Sequence, residues 1–215
     1  MTDVENQFEA IAEQYGNMEG DTARNSYEFD VNWPSITKFL PEPPASVMDY
    51  GCGAGVFSRE LAGMGFWVLA ADNSKTMVDL TKREAGVDVL EWDYHDQALE
   101  NSFDAIVAKL VLHFVEDLEL FGKATSRQLK PAGRLIISVP HPDKTRKLSP
   151  ASDGTYNDQI SSTGLFVTMI HREQHEYEAA FQKANLKLIA TDVPVDAKNP
   201  DAPPKRLTMC FEALE

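Results

Sequence analysis

From residue 47 to residue 214 the chain alternates between short apolar, β-rich runs and amphipathic stretches. The runs are VMDYG (47–51), WVLAAD (67–72), VDVLEWD (87–93), FDAIVAKL (103–110), RLIISVP (134–140), LKLIATDVP (186–194) and LTMCFEAL (207–214). Between them, FSRELAGMG ends in glycines suited to a helix C-terminus, NSKTMVDLTKREAG opens on Asn73 and Ser74 and closes on Gly86, and EDLELFGKATSRQLKPAG stops at Pro131 and Gly133. Buried valine- and isoleucine-rich strands separated by helices predict an α/β fold: a doubly wound, mostly parallel, seven-stranded Rossmann-like sheet.

A proline-rich break, PEPPAS at 41–46, precedes this alternation. Upstream of it, residues 5–40 read as one or two helices with Phe8, Ile11, Ala12 and Tyr15 on one face. With 215 residues, 43% of them hydrophobic, the chain has room for one core and a decoration. The expected organisation is an N-terminal helical cap over 1–44 and a single domain over 45–215. A segment at about 142–170, rich in Ser, Thr, Asp and Gly, is longer than a plain connection and is expected to form a lid over a bound ligand.

The formal net charge of -14, with no basic stripe to offset it, disfavours nucleic acid and anionic membrane as partners and leaves neutral or cationic small molecules as the better candidates. No apolar run approaches the length of a membrane span and the N-terminus lacks a signal-peptide pattern, so the expected location is cytoplasmic. Cys52 and Cys210 form no metal-binding or disulfide pattern, and no metal is expected.

In a doubly wound sheet, ligands sit beyond the carboxyl ends of the strands, near the point where strand order reverses. Gly51, Gly53 and Gly55 follow the first run, where bare backbone lets a ligand approach the main chain. Asp72 ends the second run, placed to accept hydrogen bonds from ribose hydroxyls, and Asp93 ends the third. A dinucleotide fingerprint would want a glycine where Val56 stands, and Asp49 would set a negative charge beside a pyrophosphate. A nucleoside with a cationic tail fits this acid set better, as in S-adenosylmethionine (SAM).

These residues carry a resemblance. VMDYGCGAGVFS, LAADNSKTMVDL, VLEWDYHD, FDAIVAKLVLHFVED and LKPAGRLIISVPHP are similar, in order and spacing, to the successive motifs of class I SAM-dependent methyltransferases. FEAIAEQY, NWPSITKFL, SVPHP and MIHREQHEYEAAFQKANLKLI resemble the small-molecule group that includes ubiquinone and menaquinone biosynthesis enzymes. Departures are Tyr50 for an aliphatic residue, Ala132 for a glycine before strand five, and ANL where AGF is common.

The resemblance implies SAM as cofactor and S-adenosylhomocysteine as product. It implies Asp49 and Gly51 at the methionine end, Gly53 and Gly55 at close backbone approach and Asp72 on the ribose. Asp93 and the Tyr94 backbone would meet the adenine, Asn73 and Met77 would line the nucleoside, the Leu110 carbonyl would face the methionine amine, and Tyr15 from the cap would meet its carboxylate.

The expected activity is methyl transfer to a small-molecule acceptor by in-line displacement. A sulfonium methyl is already activated, so the protein's part is to position the acceptor and exclude water. His141, held between two prolines after strand five, is the first candidate to orient the acceptor or take its proton, and His113 after strand four competes with it. Tyr156 and Phe166 would give the lid apolar cover, while His95 reads as a surface-loop residue and His171 with His175 as a solvated helix face. Two other functions fit the same pattern: a SAM-binding regulatory or partner subunit without transferase activity, and a nicotinamide-dependent oxidoreductase.

Overall fold

The computed structural model describes residues 27–84, 86–96, 99–148, 150–159 and 166–214. Phe8 and Tyr15, with most of the expected cap, lie outside the described residues.

All seven runs form one sheet: β1 (Ser46–Tyr50), β2 (Trp67–Asp72), β3 (Asp88–Glu91), β4 (Phe103–Lys109), β5 (Leu129–Pro140), β8 (Leu186–Asp192) and β9 (Arg206–Ala213). Their order is β3-β2-β1-β4-β5-β9-β8, parallel from β3 to β5, with β9 antiparallel to both neighbours. The chain winds outward from β1 to β3 and then crosses back to β4, so the order reverses between β1 and β4, where a doubly wound sheet opens a crevice.

The helices are α1 (Trp33–Thr37), α2 (Val56–Gly63), α3 (Lys75–Glu84), α4 (Leu118–Gln128), α5 (Pro142–Arg146) and α6 (Gln174–Gln182). Side chains alternate across each strand. Met48 and Ile106 face a core with Phe121, Phe181 and Phe211, while Val47 and Val107 face a second core with Ile36, Phe57 and Leu61. β1 and β4 are therefore covered on both sides, as the apolar stretches Val47–Met48 and 105–108 at their centres require. Edge strand β8 alternates between exposed and partly buried residues, as one open face allows.

A π-helical turn, Glu28–Asn32, leads directly into α1 and packs on the second core's side of the sheet. Its hold there is polar as well as apolar. Ser138 Oγ in β5 donates to Asn32 Oδ1 at 2.8 Å, Ser35 bonds Thr208 of β9 at 2.8 Å, and Arg206 pairs with Glu28. All but the ion pair lie among fully buried residues.

The segment over 142–170 holds more regular structure than its composition predicts. It contains α5 and an antiparallel hairpin of β6 (Thr155–Gln159) and β7 (Phe166–Ile170), with Tyr156 opposite Met169. The hairpin is pinned to the loop after β4 by Ile170 N–H donating to the His113 carbonyl at 2.8 Å. Two sequence departures fall at left-handed backbone: Ala132 has φ 60° and Asn185 has φ 59°. These are conformations glycine enters freely and asparagine tolerates, whereas alanine is strained.

Candidate active site

Gly51, Gly53 and Gly55 all have positive φ (70°, 55° and 75°) and carry the chain from β1 into α2. At Gly51 a Cβ would stand 2.3 Å from Val111 Cγ2, in the loop after β4. The two strand ends that border the crevice thus meet through bare backbone, a fit that admits no side chain at this position. The Gly51 and Cys52 amides both donate to the Ala71 carbonyl, at 2.7 and 3.0 Å, tying the loop to β2.

Three acids stand at the ends of the strands that border this loop, and one of them, Asp72, is bonded to it. Asp49 is buried and accepts from Ser58 Oγ of α2 at 2.5 Å. Asp72 Oδ2 accepts from the Gly53 amide at 2.9 Å, and its Oδ1 from the Ser74 amide at 3.0 Å, so one carboxylate orders both the glycine loop and the entry to α3. Asp93, just past β3, accepts from Asn73 Nδ2 at 3.3 Å and from the amide and ring Nδ1 of His95 at 3.1 and 2.5 Å. Met77 is buried in the first turns of α3, its amide donating to Ser74 Oγ at 3.2 Å. The Tyr94 ring is buried, stacking on His95 at 4.0 Å and meeting Phe121 edge-on at 5.9 Å, which leaves its backbone at the strand end.

Leu110 has φ 58°, an uncommon conformation for leucine, and its amide donates to the Ser138 carbonyl at 2.8 Å. Strain of this kind persists where surrounding structure imposes it, characteristically at functional sites.

The two catalytic candidates differ in environment. His113 is 4% exposed, and its Nδ1 has no hydrogen-bond partner among the described residues. Burial, reinforced by Arg206, Arg172 and Lys144, lowers its pKa to about 3. The ring is neutral at ordinary pH and a poor base. His141 is the N-cap of α5, its Nδ1 accepting from the Asp143 amide at 3.2 Å. Burial lowers its pKa, with Arg146 in the same direction and Asp143 and Glu173 opposing. Accepting at Nδ1 places the proton of the neutral ring on Nε2, so this ring can donate to an acceptor but has no lone pair free to take a proton.

Tyr156 is buried, and burial, with Asp158 and Tyr177, raises its hydroxyl pKa against the opposing pull of Arg206. Phe166 is 69% exposed, so its side chain does not supply the apolar cover expected of it. Alternation along a two-stranded hairpin explains this, since Val167 takes the inward position instead. His171 is also no solvated helix residue. It precedes α6 and bonds Thr145 Oγ1 at 2.6 Å and Glu173 at 3.2 Å. His95 lies half exposed in a turn.

Residues 48–137 match the family described as "Methyltransferase domain". A ubiquinone biosynthesis O-methyltransferase of Brucella ovis is 30% identical over 157 residues, covering 66% of this chain and 60% of that protein. Residues 48–137 carry a methyltransferase domain. The chain spans about 60% of the length of the Brucella relatives it matches. Among solved structures, a SAM-dependent methyltransferase of Mesorhizobium loti superposes with a TM-score of 0.68 at 21% identity, over 87% of this chain and 98% of that one. A Haloferax volcanii complex between the Trm112 methyltransferase activator and a methyltransferase superposes with a TM-score of 0.77 at 18% identity, over 99% and 98%. These two likenesses concern the fold.

The acceptor side of the crevice adds residues that sequence reading passed over. Lys109 ends β4, and Arg206 opens β9. Because β9 runs antiparallel, its first residue pairs with Pro140, the last of β5, and so reaches the same edge as the other strand ends. Glu28 accepts from Arg206 Nε and Nη2 at 3.0 and 2.5 Å on Oε1 and from Asn32 Nδ2 at 2.7 Å on Oε2. Burial raises the Glu28 pKa, but Arg206, Lys109 and these hydrogen bonds outweigh it and hold the group charged. Lys109 was visible as a lone cation closing a buried strand, whereas Arg206 needed the topology of β9.

No described helix is long and apolar enough to cross a membrane. Among the described residues no group of three or more His, Cys, Asp or Glu side chains is arranged to hold a metal ion.

Proposed function

We propose that the protein transfers a methyl group from SAM to a small-molecule acceptor. The observation that carries this reading is the set of acids at three successive strand ends, Asp49, Asp72 and Asp93, with Asp72 bound to a glycine loop that has no room for a side chain at Gly51. The cradle fits SAM: Gly51, Gly53 and Gly55 offer close backbone approach, Asp72 offers a charged acceptor for the ribose, and Asp93, Asn73, Met77 and the Tyr94 backbone border the adenine. Asp49 acts through Ser58 and the loop it supports, and the Leu110 carbonyl is held for the methionine amine. Tyr15 remains the cap's candidate for the methionine carboxylate.

When bound, the sulfonium supplies a methyl group already activated toward nucleophiles, so the chain's residues have only to place and desolvate the acceptor. His141 donates from Nε2 to orient it, and the buried His113 ring lines the site as a neutral group. The 142–170 segment, through Tyr156 and the hairpin anchored at His113, covers the acceptor, with the N-terminal cap of 1–44 closing the other side.

The nicotinamide reading is disfavoured by Val56, the first residue of α2, and by the buried Asp49 beside the loop. A SAM-binding subunit without transferase activity gives no reason for a buried imidazole beyond the strand-four end whose Nδ1 has no partner among the described residues. Titration calorimetry with SAM and S-adenosylhomocysteine tests the proposal. Micromolar binding of both is expected, and no detectable heat at millimolar ligand, with no thermal shift, overturns it.

A further inference from the structure

Although the chain as a whole is strongly acidic, two cations without an ion pair among the described residues, Lys109 and Arg172, stand by the strand-four end. Lys109 and Arg206 flank the end of β5, paired with Ser138 and Pro140 of that strand. Two residues past the Asp49–Val107 pair, Lys109 also stands level with Gly51. Glu28 faces both cations, but it is one carboxylate, and Arg206 occupies it through two nitrogens. The Lys109 ammonium acts on Glu28 but makes no hydrogen bond or ion pair of its own among the described residues, so within them one positive charge at the strand-four end has no carboxylate to itself.

The surroundings of His113 add a second cation. Of the charges acting on it, Arg206 is paired with Glu28 and Lys144 with Asp158 at 3.2 Å, while Arg172 has no ion pair among the described residues. Arg172 is held by the carbonyl oxygens of Leu112, Val115 and Glu116, at 2.7, 2.5 and 3.1 Å, which fix its position without cancelling its charge.

The same region offers poor proton acceptors. His113 holds a proton only in strong acid, the Nδ1 lone pair of His141 is committed to its cap, and Tyr156 keeps its hydroxyl proton. A neutral alcohol, which must lose a proton as it attacks, is badly served here. An oxygen that arrives already ionised needs no base and meets unbalanced positive charge.

We propose that the methyl acceptor is an oxygen anion, a carboxylate or an ionised phenol, and that Lys109 selects it by contact with its negative charge. The proposal rests on the methyltransferase reading above. In the step, the acceptor oxygen forms a bond to the methyl carbon as the carbon–sulfur bond breaks. The bonding pair stays on sulfur, one negative and one positive charge disappear together, and no proton moves. The net charge does not oppose this, because at physiological ionic strength charges farther than about 8 Å are largely screened and the nearest groups decide.

The test measures calorimetric binding of acetate, benzoate and 4-nitrophenolate, each beside its neutral partner acetamide, benzamide or 4-nitroanisole, to the protein saturated with S-adenosylhomocysteine. Turnover of the same panel with methyl-labelled SAM is followed in parallel. At least one anion is expected to bind where its neutral partner does not. Lys109→Met should weaken that anion about ten- to a hundredfold, as loss of a charge-assisted contact does, with S-adenosylhomocysteine affinity unchanged and Lys109→Arg intermediate. The carboxylate and phenolate arms show which oxygen anion is preferred. Neutral partners binding as well as every anion, or Lys109→Met binding anions like the wild type, overturns the proposal while leaving the methyltransferase reading intact. Failure to bind S-adenosylhomocysteine removes both.

Discussion

The carboxylate of Asp72 and the amide of Gly53 are joined by a 2.9 Å hydrogen bond, linking the end of β2 to the glycine loop that follows β1. The second oxygen of the same carboxylate takes the Ser74 amide. Asp72 therefore shapes the nucleoside side of the crevice before any ligand contact. Asp72→Ala should lower SAM affinity by about 1.5–3 kcal/mol, the range for losing hydrogen bonds to a charged acceptor, in a titration that also reads S-adenosylhomocysteine. Asp72→Asn, which keeps an acceptor without the charge, should fall between. Equal affinities in all three proteins would remove Asp72 from the site.

Ala132 occupies a left-handed conformation (φ 60°) in β5, where the register with β4 shifts. An L-residue is strained there by roughly 1–2 kcal/mol, partly offset by the greater unfolded-state freedom of glycine. Ala132→Gly should therefore stabilise the protein by up to about 1 kcal/mol in urea denaturation. A destabilised variant would show that the Ala132 methyl makes compensating contacts.

His113 ties stability to pH. Its folded pKa of about 3 lies below the ordinary histidine value, so the unfolded chain binds a proton that the native state refuses. The contribution is fully present above the unfolded pKa near 6.5 and is lost as pH falls from there toward 3. Between pH 7 and 5 the loss should amount to about 1–2 kcal/mol, at roughly 1.4 kcal/mol per unit once below the unfolded pKa. Urea titrations of wild type and His113→Phe at both pH values isolate it: the variant should lose less stability on acidification, and parallel losses would contradict the buried neutral ring.

The strands and the acids at their ends were legible because both are written locally. Each buried strand announces itself as an apolar run, and Asp49, Asp72 and Asp93 stand at run ends where a doubly wound sheet must put its ligand. The acceptor side is written non-locally. Arg206 reaches the site only because β9 runs antiparallel, and Glu28 matters only because Asn32 and Ser138, far apart in sequence, meet under the sheet edge. β6 was obscured for another reason: one strand of a ribbon with an exposed face can be built from Thr, Asn, Asp and Gln, so its polar sequence reads as loop. That also misplaced Phe166, whose side of the ribbon depends on register rather than on its apolar character.

His141 combines a cap with an acceptor contact, and the two roles separate by substitution. Asparagine can accept the Asp143 amide hydrogen bond as the ring does, whereas alanine cannot. His141→Ala should destabilise the protein by about 0.5–2 kcal/mol, and His141→Asn by less. Both variants lose the Nε2 donor, so both should lower turnover about ten- to a hundredfold on whichever acceptor the anion panel identifies, with SAM affinity unchanged. A pH–rate profile in which His141→Asn removes an ionisation near the histidine range would restore the proton-taking role that the cap geometry opposes.

Glu28 yields effects of opposite sign on stability and on anion binding. Its carboxylate is the counter-charge for Arg206, a near neighbour of Lys109, and the anchor of the turn that leads into α1. Glu28→Gln leaves Arg206 without an ion partner and weakens the hold of the N-terminal segment. Stability should fall by about 1–3 kcal/mol, with faster amide exchange concentrated in residues 28–38. Because the folded pKa lies below its ordinary value, this stabilisation is present above about pH 4.5 and fades as pH falls through the folded value, so the wild-type advantage should shrink in acid. Removing the Glu28 carboxylate, which faces Lys109 and Arg206, should at the same time tighten binding of the anion selected above, while its neutral partner stays unaffected. Weaker anion binding in Glu28→Gln, with the segment still in place by exchange, would mean that Glu28 positions the cations rather than offsetting them.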